Sequence, residues 1–487
     1  MPYPFEGLKP ESLWKYFYEL TRIPRGSKRE LKAADYVVKV AKEHGLEMKQ
    51  DKFANVLVKT PATAGFENAK AVVLQGHLDM VCEKNKDVKH DFEKDPINAV
   101  VDGGWVKATG TTLGSDNGVG VAAALAVMTD TTLQHGPMEF LFTIDEETGL
   151  TGASNLQKGF LSADTLLNLD SEEDGALYIG CSGGKDNVIT LSTRKRKAPK
   201  GAKTFEVRVG GLKGGHSGLN IHEGRANAIV LLTRALRKLS AVCGVRIVSM
   251  NGGSKRNAIP REAEAVVLVK ADEANLLKKT VPELEKMFKS EFATLEKGLF
   301  LRAEASKKKA THSIGAEDQQ TLLNLLHALP HGVIGMSVDI PGLVETSTNL
   351  ATVSTDNGKI VIGTSQRSSV QSELDDLAEK VRSIAHLACA EVETGDGYPG
   401  WKPNVDSPVL KFAKQTYGDL FGKEPEVKAI HAGLECGIIG EKFPGLDMIS
   451  FGPTIEGAHS PDERVNIETV GKFWNFLVEM LGRLAKA

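Results

Sequence analysis

Residues 138–149 read MEFLFTIDEETG. The segment MEFLFTI is an apolar run of the length typical of a buried β-strand. Three carboxylates follow it directly: Asp145, Glu146 and Glu147. Adjacent like charges repel one another, and removing them from water raises the cost further. The stretch therefore predicts a strand that ends either in a solvated loop or in a site where positive charge lies among the acids.

Similar apolar runs occur on both sides of this stretch. Strand-like segments are NVLVK (55–59), AVVLQG (71–76) and TLLNLD (165–170), and VGVAAALAVMTD (119–130) is typical of a buried helix. Short apolar strands that alternate with helices predict an α/β fold with a mixed, largely parallel sheet sandwiched by helices. In such sheets, ligands bind beyond the carboxyl ends of the strands.

The middle of the chain has a different pattern, richer in Lys and in amphipathic helices. Two β-α-β-β-α units of about a hundred residues each are expected there as an internal duplication. The first begins at TFEVRVGG (204–211) and the second at LRAEASK (301–307). The α/β pattern returns near residue 397. We therefore expect one domain from residues 1–184 and 397–487, with residues 185–396 inserted as an α+β domain.

Bulk properties exclude several classes of protein. The 487 residues are 41% apolar and 25% charged, with a net charge of −3, so neither nucleic acid nor a membrane is expected as a partner. No window approaches the ~18 consecutive apolar residues of a membrane span, and the N-terminus lacks a signal-peptide pattern. Five scattered cysteines indicate reduced thiols in a cytoplasmic protein. We interpret the basic run RKRKAPK (194–200) as a solvated hairpin.

Candidate metal ligands follow the predicted strand ends or lie in glycine-rich loops. They are His77 and Asp79 in QGHLDM, Asp116 in TLGSDNGVG, Glu146, Glu147, Asp170 in NLDSEE, and His459 in GPTIEGAHSPDE. Each has an ordinary alternative as a turn, cap or loop residue, but together they fall where an α/β sheet forms its site. Imidazole and carboxylate without thiolate suit zinc, manganese or cobalt. Five such ligands, one of them shared, suit two metal ions about 3.5–4 Å apart.

A competing motif is GVGVAA (118–123), which matches the G-x-G-x-x-A of dinucleotide-binding folds. In those folds a strand runs straight into the first glycine, whereas LGSDN precedes Gly118 here. We interpret the glycines as allowing a helix to pack closely behind Asp116. A dinucleotide-binding protein remains a remote alternative.

The motif set as a whole resembles the M20 family of metallopeptidases. The motifs are HLDM, GTTLGSDNGVG, DEETG, NLDSEE, GGHSG, RNAIPREA and GPTIEGAHSPDE, spread over the whole chain. GTTLGSDNG stands in place of the commoner GRGxxDxKGG of the family, a variant typical of its dipeptidase branch. The resemblance implies that residues 1–184 and 397–487 form a catalytic di-metal domain, with residues 185–396 as its lid.

The resemblance also implies the metal ligands. Asp116 would bridge two divalent metals, most readily zinc, with manganese or cobalt as alternatives. His77 and Asp170 would complete one metal site, and Glu147 and His459 the other. It further implies a cis peptide between Asp116 and Asn117.

The catalytic roles follow from the same resemblance. Glu146 would be the general base, taking a proton from the water between the metals and delivering it to the leaving amine. Asp79 would orient the His77 imidazole. His216 in GGHSG would stabilise the tetrahedral oxyanion. No role is assigned to Asp145, which we expect to be solvated or hydrogen-bonded.

Substrate binding is implied for three residues of the chain. Asn257 in RNAIP and Arg367 in TSQRSS would hold the terminal carboxylate of the substrate, joined by backbone near Gly433 in HAGLECG. The activity implied is hydrolysis of unblocked dipeptides, including Xaa-His and carnosine-like substrates. The alternative is an M20-type amidohydrolase that deacylates N-acyl amino acids. We expect His216 to serve the site of its own chain, and a homodimer stays open.

Overall fold

The computed structural model describes residues 3–487, which form two compact units. The first unit runs to Gly180 and resumes over Trp401–Ala429 and Leu434–Ala487, and the second comprises Cys181–Gly400 and Ile430–Gly433. These limits lie four residues from the expected boundaries at 184 and 396. Residues 430–433, which we had expected in the first domain, belong to the second unit. The reason is that Ser182 donates its backbone N–H to the carbonyls of Ile430 and Ala432.

The helices and strands follow one another in three stretches. Up to residue 181 they are α1 (Glu11–Thr21), α2 (Leu31–Glu43), β1 (Glu47–Gln50), β2 (Val56–Thr60), β3 (Val72–His77), β4 (Ala99–Asp102), β5 (Trp105–Ala108), α3 (Ser115–Thr129), β6 (Met138–Thr143), α4 (Glu146–Gly149), α5 (Thr151–Asn155), β7 (Thr165–Asn168) and β8 (Ala176–Cys181). From residue 182 to residue 400 they are β9 (Gly183–Ser192), β10 (Lys195–Lys197), β11 (Lys203–Gly210), β12 (Gly215–His216), a 3₁₀ helix (Ile221–Glu223), α6 (Ala228–Cys243), β13 (Arg246–Gly252), β14 (Ala258–Ile259), β15 (Ala263–Val269), α7 (Ala274–Glu291), β16 (Phe300–Ala305), β17 (His312–Ile314), α8 (Ala316–Ala328), β18 (Gly332–Met336), β19 (Val344–Asp356), β20 (Lys359–Ser368), α9 (Gln371–Leu387) and β21 (Glu391–Thr394). The remainder contains α10 (Pro408–Phe421), β22 (Glu426–Ile430), α11 (Glu435–Lys442), β23 (Asp447–Ser450), β24 (Ile455–Glu456), β25 (Arg464–Asn466) and α12 (Ile467–Leu484).

The main sheet of the first unit has the strand order β1-β2-β6-β3-β7-β23-β8-β22. Its centre is parallel, because β3 pairs in parallel with both β6 and β7, and β23 pairs in parallel with β7. The outer pairs β1–β2, β2–β6 and β23–β8 are antiparallel. Every residue of β3 and β6 is buried, as expected for central strands of a parallel sheet. The predicted mixed, largely parallel α/β fold is confirmed.

The parallel centre brings several strand ends to one edge of the sheet. His77, the last residue of β3, pairs in register with Thr143, the last residue of β6. Gln75 on β3 pairs with Asn168, the last residue of β7. The residues that follow these three strands therefore emerge close together. A small sheet of order β24-β25-β5-β4 contributes the loop between β24 and β25.

Helix α3 packs against β3 and α1, and its glycines permit the close approach. A Cβ added at Gly120 would lie 2.5 Å from the carbonyl oxygen of Leu169, and one at Gly118 would lie 2.6 Å from Nη2 of Arg25. Gly118 and Gly120 lie inside α3, which begins at Ser115. GVGVAA is therefore not the strand-to-helix turn of a dinucleotide-binding fold.

The second unit has one large sheet of order β16-β11-β15-β13-β19-β20-β9-β21. The prediction of the second β-α-β-β-α unit is wrong for the first strand of that unit. The segment LRAEASK contributes to β16, which pairs with β11 in the other half of the sheet. Strand β20 lies between β19 and β9. It pairs with β9 from Lys359–Ser192 to Ser368–Gly183, and β9 precedes the whole first half in sequence.

The two halves of this sheet nevertheless have the same element order. The first half contains β11, α6, β13, β15, α7 and β16 in chain order. The second half contains β9, α8, β19, β20, α9 and β21, and the whole first half lies between β9 and α8 in sequence. They meet where β13 pairs with β19. Helix α6 begins at an Asn227 cap, whose side chain accepts from the backbone N–H groups of Ile229 and Val230. No helix within residues 3–487 is long and apolar enough to cross a membrane.

The tight contact at Gly120 gives a stability prediction. Gly120→Ala should lower the free energy of unfolding by about 1–3 kcal/mol, because the added methyl group overlaps the backbone of Leu169. Thermal denaturation measures the change. Gly418→Ala in α10 is the matched control, because a Cβ there meets nothing within 4 Å, and it should be neutral or stabilise by up to ~1 kcal/mol. Equal melting temperatures for the two variants would contradict the packing argument.

Candidate metal centre

Three side chains converge at the carboxyl ends of β3 and β7. His77 ends β3 and is 1% exposed. Its Nε2 lies 3.1 Å from Oδ1 of Asp116 and 3.2 Å from Oδ1 of Asp170. Asp170 follows β7 by two residues, and Asp116 lies at the start of α3, where its ψ of 114° departs from helical geometry. The Asp116–Asn117 peptide is cis, as predicted.

A second group of ligand atoms shares Asp116 with the first. Nε2 of His459 lies 3.0 Å from Oδ2 of Asp116 and 3.0 Å from Oε2 of Glu147. His459 comes from the loop between β24 and β25, and Glu147 from α4. Asp116 therefore contacts each histidine with a different carboxylate oxygen, which is the arrangement of a bridging ligand.

The donor set fits a pair of divalent cations. Oδ1 of Asp170 and Oε1 of Glu147 are buried and have no aligned hydrogen-bond donor among residues 3–487. Buried carboxylates in this state need positive charge or a proton. Two imidazoles and three carboxylates, without thiolate, match zinc and related divalent metals. Within the described part of the chain, His77, Asp116 and Asp170 can hold one ion, and Asp116, Glu147 and His459 a second.

The charges in this centre shift one another's pKa values. Burial raises the pKa of Asp170 to about 7, and burial also raises that of Glu147. Hydrogen bonding to Asp116 and Glu147 raises the pKa of His459 to about 11. Burial works against ionisation of Asp116, yet its hydrogen bonds with His459 and His77 hold its pKa well below the ordinary value. Each of these shifts follows from burial or from a hydrogen bond within the centre.

Asp79 connects the end of β3 to the first turn of α4. It is fully buried, and its Oδ1 lies 3.3 Å from Nδ1 of His77. It also accepts from the backbone N–H groups of Glu146 and Glu147, at 3.0 and 3.2 Å, and from the hydroxyl of Ser27 at 2.8 Å. One carboxylate thus contacts the His77 ring and the first turn of α4.

The other two acids of the opening triplet differ in surroundings. Glu146 is not part of either ligand group. Burial raises its pKa well above the ordinary value, and the nearby charges of Asp170 and Glu435 raise it further. Asp145 is buried with a φ of 52°, and its carboxylate accepts from the hydroxyls of Thr148 and Thr151. It is a hydrogen-bonded acid, one of the two states we expected.

Glu463 was missed in the sequence analysis. Its buried carboxylate accepts from the backbone N–H groups of Leu113, Gly114 and Ser115, at 2.8, 3.0 and 2.7 Å, and from the Ser115 hydroxyl at 2.6 Å. It also accepts from the N–H of Asp116 at 3.3 Å. Glu463 thus fixes the loop that presents the shared aspartate. The motif SPDERV gave no signal of this role, because the donors are backbone groups about 350 residues away.

Arg25 is a second group that the sequence analysis missed. Its buried guanidinium donates to the carbonyls of Leu78, Asp79 and Gly114. It therefore holds the segment that follows β3 next to the segment that precedes α3.

The remaining predicted residues lie in the second unit. His216 in β12 pairs with Ala258 in β14, and the carbonyl of Asn257 accepts from the N–H of Ser217 at 2.8 Å. His216 and Asn257 both line an open cleft of about 1030 Å³. Its basic lining residues are Arg208, Lys213, Lys255 and Arg261.

Arg367 and Gly433 share Tyr398 as a neighbour. Arg367 is 8% exposed, and its Nη1 donates to the hydroxyl of Tyr398 at 3.0 Å. Its Nε is buried without a partner, and no carboxylate among residues 3–487 forms an ion pair with it. A Cβ added at Gly433 would lie 3.0 Å from the Tyr398 ring. Nearby, His431 contacts the Ser347 hydroxyl at 2.7 Å.

Comparison with known proteins identifies the family. Residues 73–483 match the model of peptidase family M20/M25/M40. The chain is 46% identical over 474 residues to the cytosol non-specific dipeptidase of Escherichia coli (strain K12), covering 97% of this chain and 98% of that protein. The crystal structure of aminoacylhistidine dipeptidase from Vibrio alginolyticus matches with a TM-score of 0.89 and 42% identity, covering 98% of each chain. Human carnosine dipeptidase 1, at 13% identity and a TM-score of 0.51, covers 98% of this chain and 96% of its own and shares the fold. The chain belongs to peptidase family M20/M25/M40.

Proposed function

We propose that this peptidase is a di-metal dipeptidase that hydrolyses unblocked dipeptides, including Xaa-His and carnosine-like substrates. The observation that carries the proposal is the position of Asp116 between two ligand groups, with one oxygen on each. The two close relatives named above are both dipeptidases. We also propose a cytosolic location, which the name of the Escherichia coli relative supports.

We propose zinc as the metal, with manganese or cobalt also suited to the same ligands. His77, Asp116 and Asp170 would hold one ion, and Asp116, Glu147 and His459 the other. Two such ions polarise a carbonyl and make water acidic near neutral pH. Asp79 would keep the His77 ring in place, and its hydrogen bonds to the start of α4 support this role.

Glu146 is our general base. It lies beside the ligand Glu147 but belongs to neither ligand group. Burial raises its pKa well above the ordinary value, so this carboxylate binds a proton more readily than an exposed one, as a general base must. Glu146 would take the proton of the attacking water and deliver it to the nitrogen of the leaving amine. This transfer makes the amine a neutral leaving group.

Binding of the substrate carboxylate is proposed for Arg367, Asn257 and Gly433. The strongest support is the unpaired state of Arg367, because a buried guanidinium without an acid is costly and favours an anionic ligand. A planar guanidinium also matches a carboxylate better than an ammonium group does. His216 would donate to the oxyanion that develops on the scissile carbonyl.

We also propose that His216 serves the site of its own chain. The two halves of the second unit have the same element order and pair through β13 and β19. Such pairing within one chain can replace a contact between the second units of two chains. A homodimer through another surface is compatible with this proposal.

A substrate panel tests the proposed specificity. Dipeptides with both termini free should be hydrolysed, whereas N-acetylated dipeptides and dipeptide amides should lose most of kcat/KM, because the first lack the free ammonium group and the second the free carboxylate of an unblocked dipeptide. Arg367→Lys should raise KM for the free dipeptide and leave the slow rate for the amide unchanged. Faster hydrolysis of N-acyl amino acids than of free dipeptides would contradict the proposal and favour the amidohydrolase alternative.

Two substitutions separate the general base from the metal ligands. Glu146→Ala should keep both metal ions and lower kcat by about 10²–10⁴-fold, the usual contribution of a general base. His459→Ala should lose metal from one site, because it removes one of three ligands there. Metal content per chain and kcat are measured on the same samples. Near-normal kcat in Glu146→Ala with both ions bound would overturn the assignment.

A further inference from the structure

A layer of buried polar side chains lies directly beneath the proposed ligands. Gln75, Thr143 and Asn168 lie on the adjacent strands β3, β6 and β7, and each is fully buried. Gln75 precedes His77 by two residues, and Asn168 precedes Asp170 by two residues. Because side chains alternate along a strand, Gln75 lies on the same face of β3 as His77.

Glu435 joins this layer from a different part of the chain. It is the first residue of α11 and is 0% exposed. Its Oε2 accepts from Nε2 of Gln75 at 2.6 Å and from Oγ1 of Thr143 at 2.5 Å. One carboxylate oxygen therefore connects the ends of two strands.

The connection continues to a proposed ligand. Oε1 of Gln75 accepts from Nδ2 of Asn168 at 2.5 Å. Oδ1 of Asn168 in turn accepts from the backbone N–H of Asp170 at 3.3 Å. A continuous line of hydrogen bonds thus runs from Glu435 to the backbone of Asp170.

Glu435 takes part in this layer through Oε2 alone. An amide oxygen at the same place could accept the same two hydrogen bonds, so the position of the acceptor is what the layer requires. The second oxygen of Glu435, Oε1, is buried and has no hydrogen-bond partner among residues 3–487. Glu435 also lies close enough to Glu146 to raise the pKa of that group. None of the roles assigned so far uses this carboxyl group.

We propose that Glu435 is a positioning residue, which holds the ends of β3, β6 and β7 through Gln75 and Thr143 and thereby sets the spacing of His77 and Asp170. This inference rests on the proposed di-metal function. Since the layer touches the strand of His77 and the backbone of Asp170, the metal site of these two residues should depend on Glu435 more than the other site does.

The test compares two substitutions in the full-length chain. Metal-free Glu435→Ala and Glu435→Gln are titrated with Zn²⁺ alone in a calorimeter, and kcat and KM are then measured at saturating Zn²⁺. Glu435→Ala removes the shared acceptor, so the affinity of one of the two sites should fall by about 10–100-fold, the usual effect of removing a group that orients a ligand. Its kcat should fall with little change in KM. Glu435→Gln keeps an acceptor oxygen and should restore most of both losses.

Glu139→Ala is the matched control for lost stability. Glu139 lies near the start of β6, whereas Thr143 ends this strand, and Glu139 is 2% exposed. Its carboxylate accepts from the backbone N–H and the hydroxyl of Ser162. Glu139→Ala should lower the melting temperature without changing Zn²⁺ affinity. If Glu435→Ala does not fold, Thr143→Val replaces it, since this change removes one donor to Glu435 with little change of shape. It should weaken the same metal site to a smaller extent.

The outcomes separate this inference from the proposed function. Wild-type Zn²⁺ affinities and kcat in Glu435→Ala, or in Thr143→Val if only that variant folds, would overturn the positioning role. A Glu435→Gln variant as impaired as Glu435→Ala would also overturn it, because charge and not hydrogen bonding would then be what matters. Failure of the wild-type chain to bind Zn²⁺ or to hydrolyse dipeptides would instead overturn the proposed function.

Discussion

The two carboxylate oxygens of Asp116 lie between two histidines, and the candidate metal centre is built around this arrangement. Oδ1 contacts His77 and Oδ2 contacts His459. Asp116, Glu147 and Asp170 are crowded into one buried centre, where mutual repulsion of their charges would be strong. Cations shared among them would convert this repulsion into attraction. The acidic end of the strand MEFLFTI is then a requirement of the centre and not an unfavourable accident.

Several features far apart in the chain serve to hold Asp116. The glycines of α3 let the helix lie against Leu169 and Arg25. Glu463 accepts hydrogen bonds from the whole loop that precedes Asp116. These contacts involve glycines, backbone groups and the buried carboxylate of Glu463. Rigid support of this kind limits movement of the ligand, which a site built for two ions at a fixed separation requires.

The convergence of the candidate ligands was predictable from the sequence because it follows a general rule. His77, Glu147 and Asp170 each follow an apolar strand, and parallel strands bring their carboxyl ends together. The supporting residues were not predictable in this way. Glu463 and Glu435 act on groups about 350 residues away, and no periodicity or motif marks such a pairing. The first strand of the second expected repeat was wrong for the same reason, because β9 and β20 are far apart in sequence and no local pattern marks their pairing.

The second unit contains a buried guanidinium without an acid. Arg367 donates to the Tyr398 hydroxyl, and no carboxylate among residues 3–487 forms an ion pair with it. The proposed function depends on a pair of metal ions that share Asp116. The most direct test is the number of Zn²⁺ ions bound per chain in the wild-type protein and in Asp116→Ala. A shared Asp116 predicts two ions in the wild type and weakened binding at both sites in the variant. A single ion in the wild type, or loss of only one site in the variant, would contradict it.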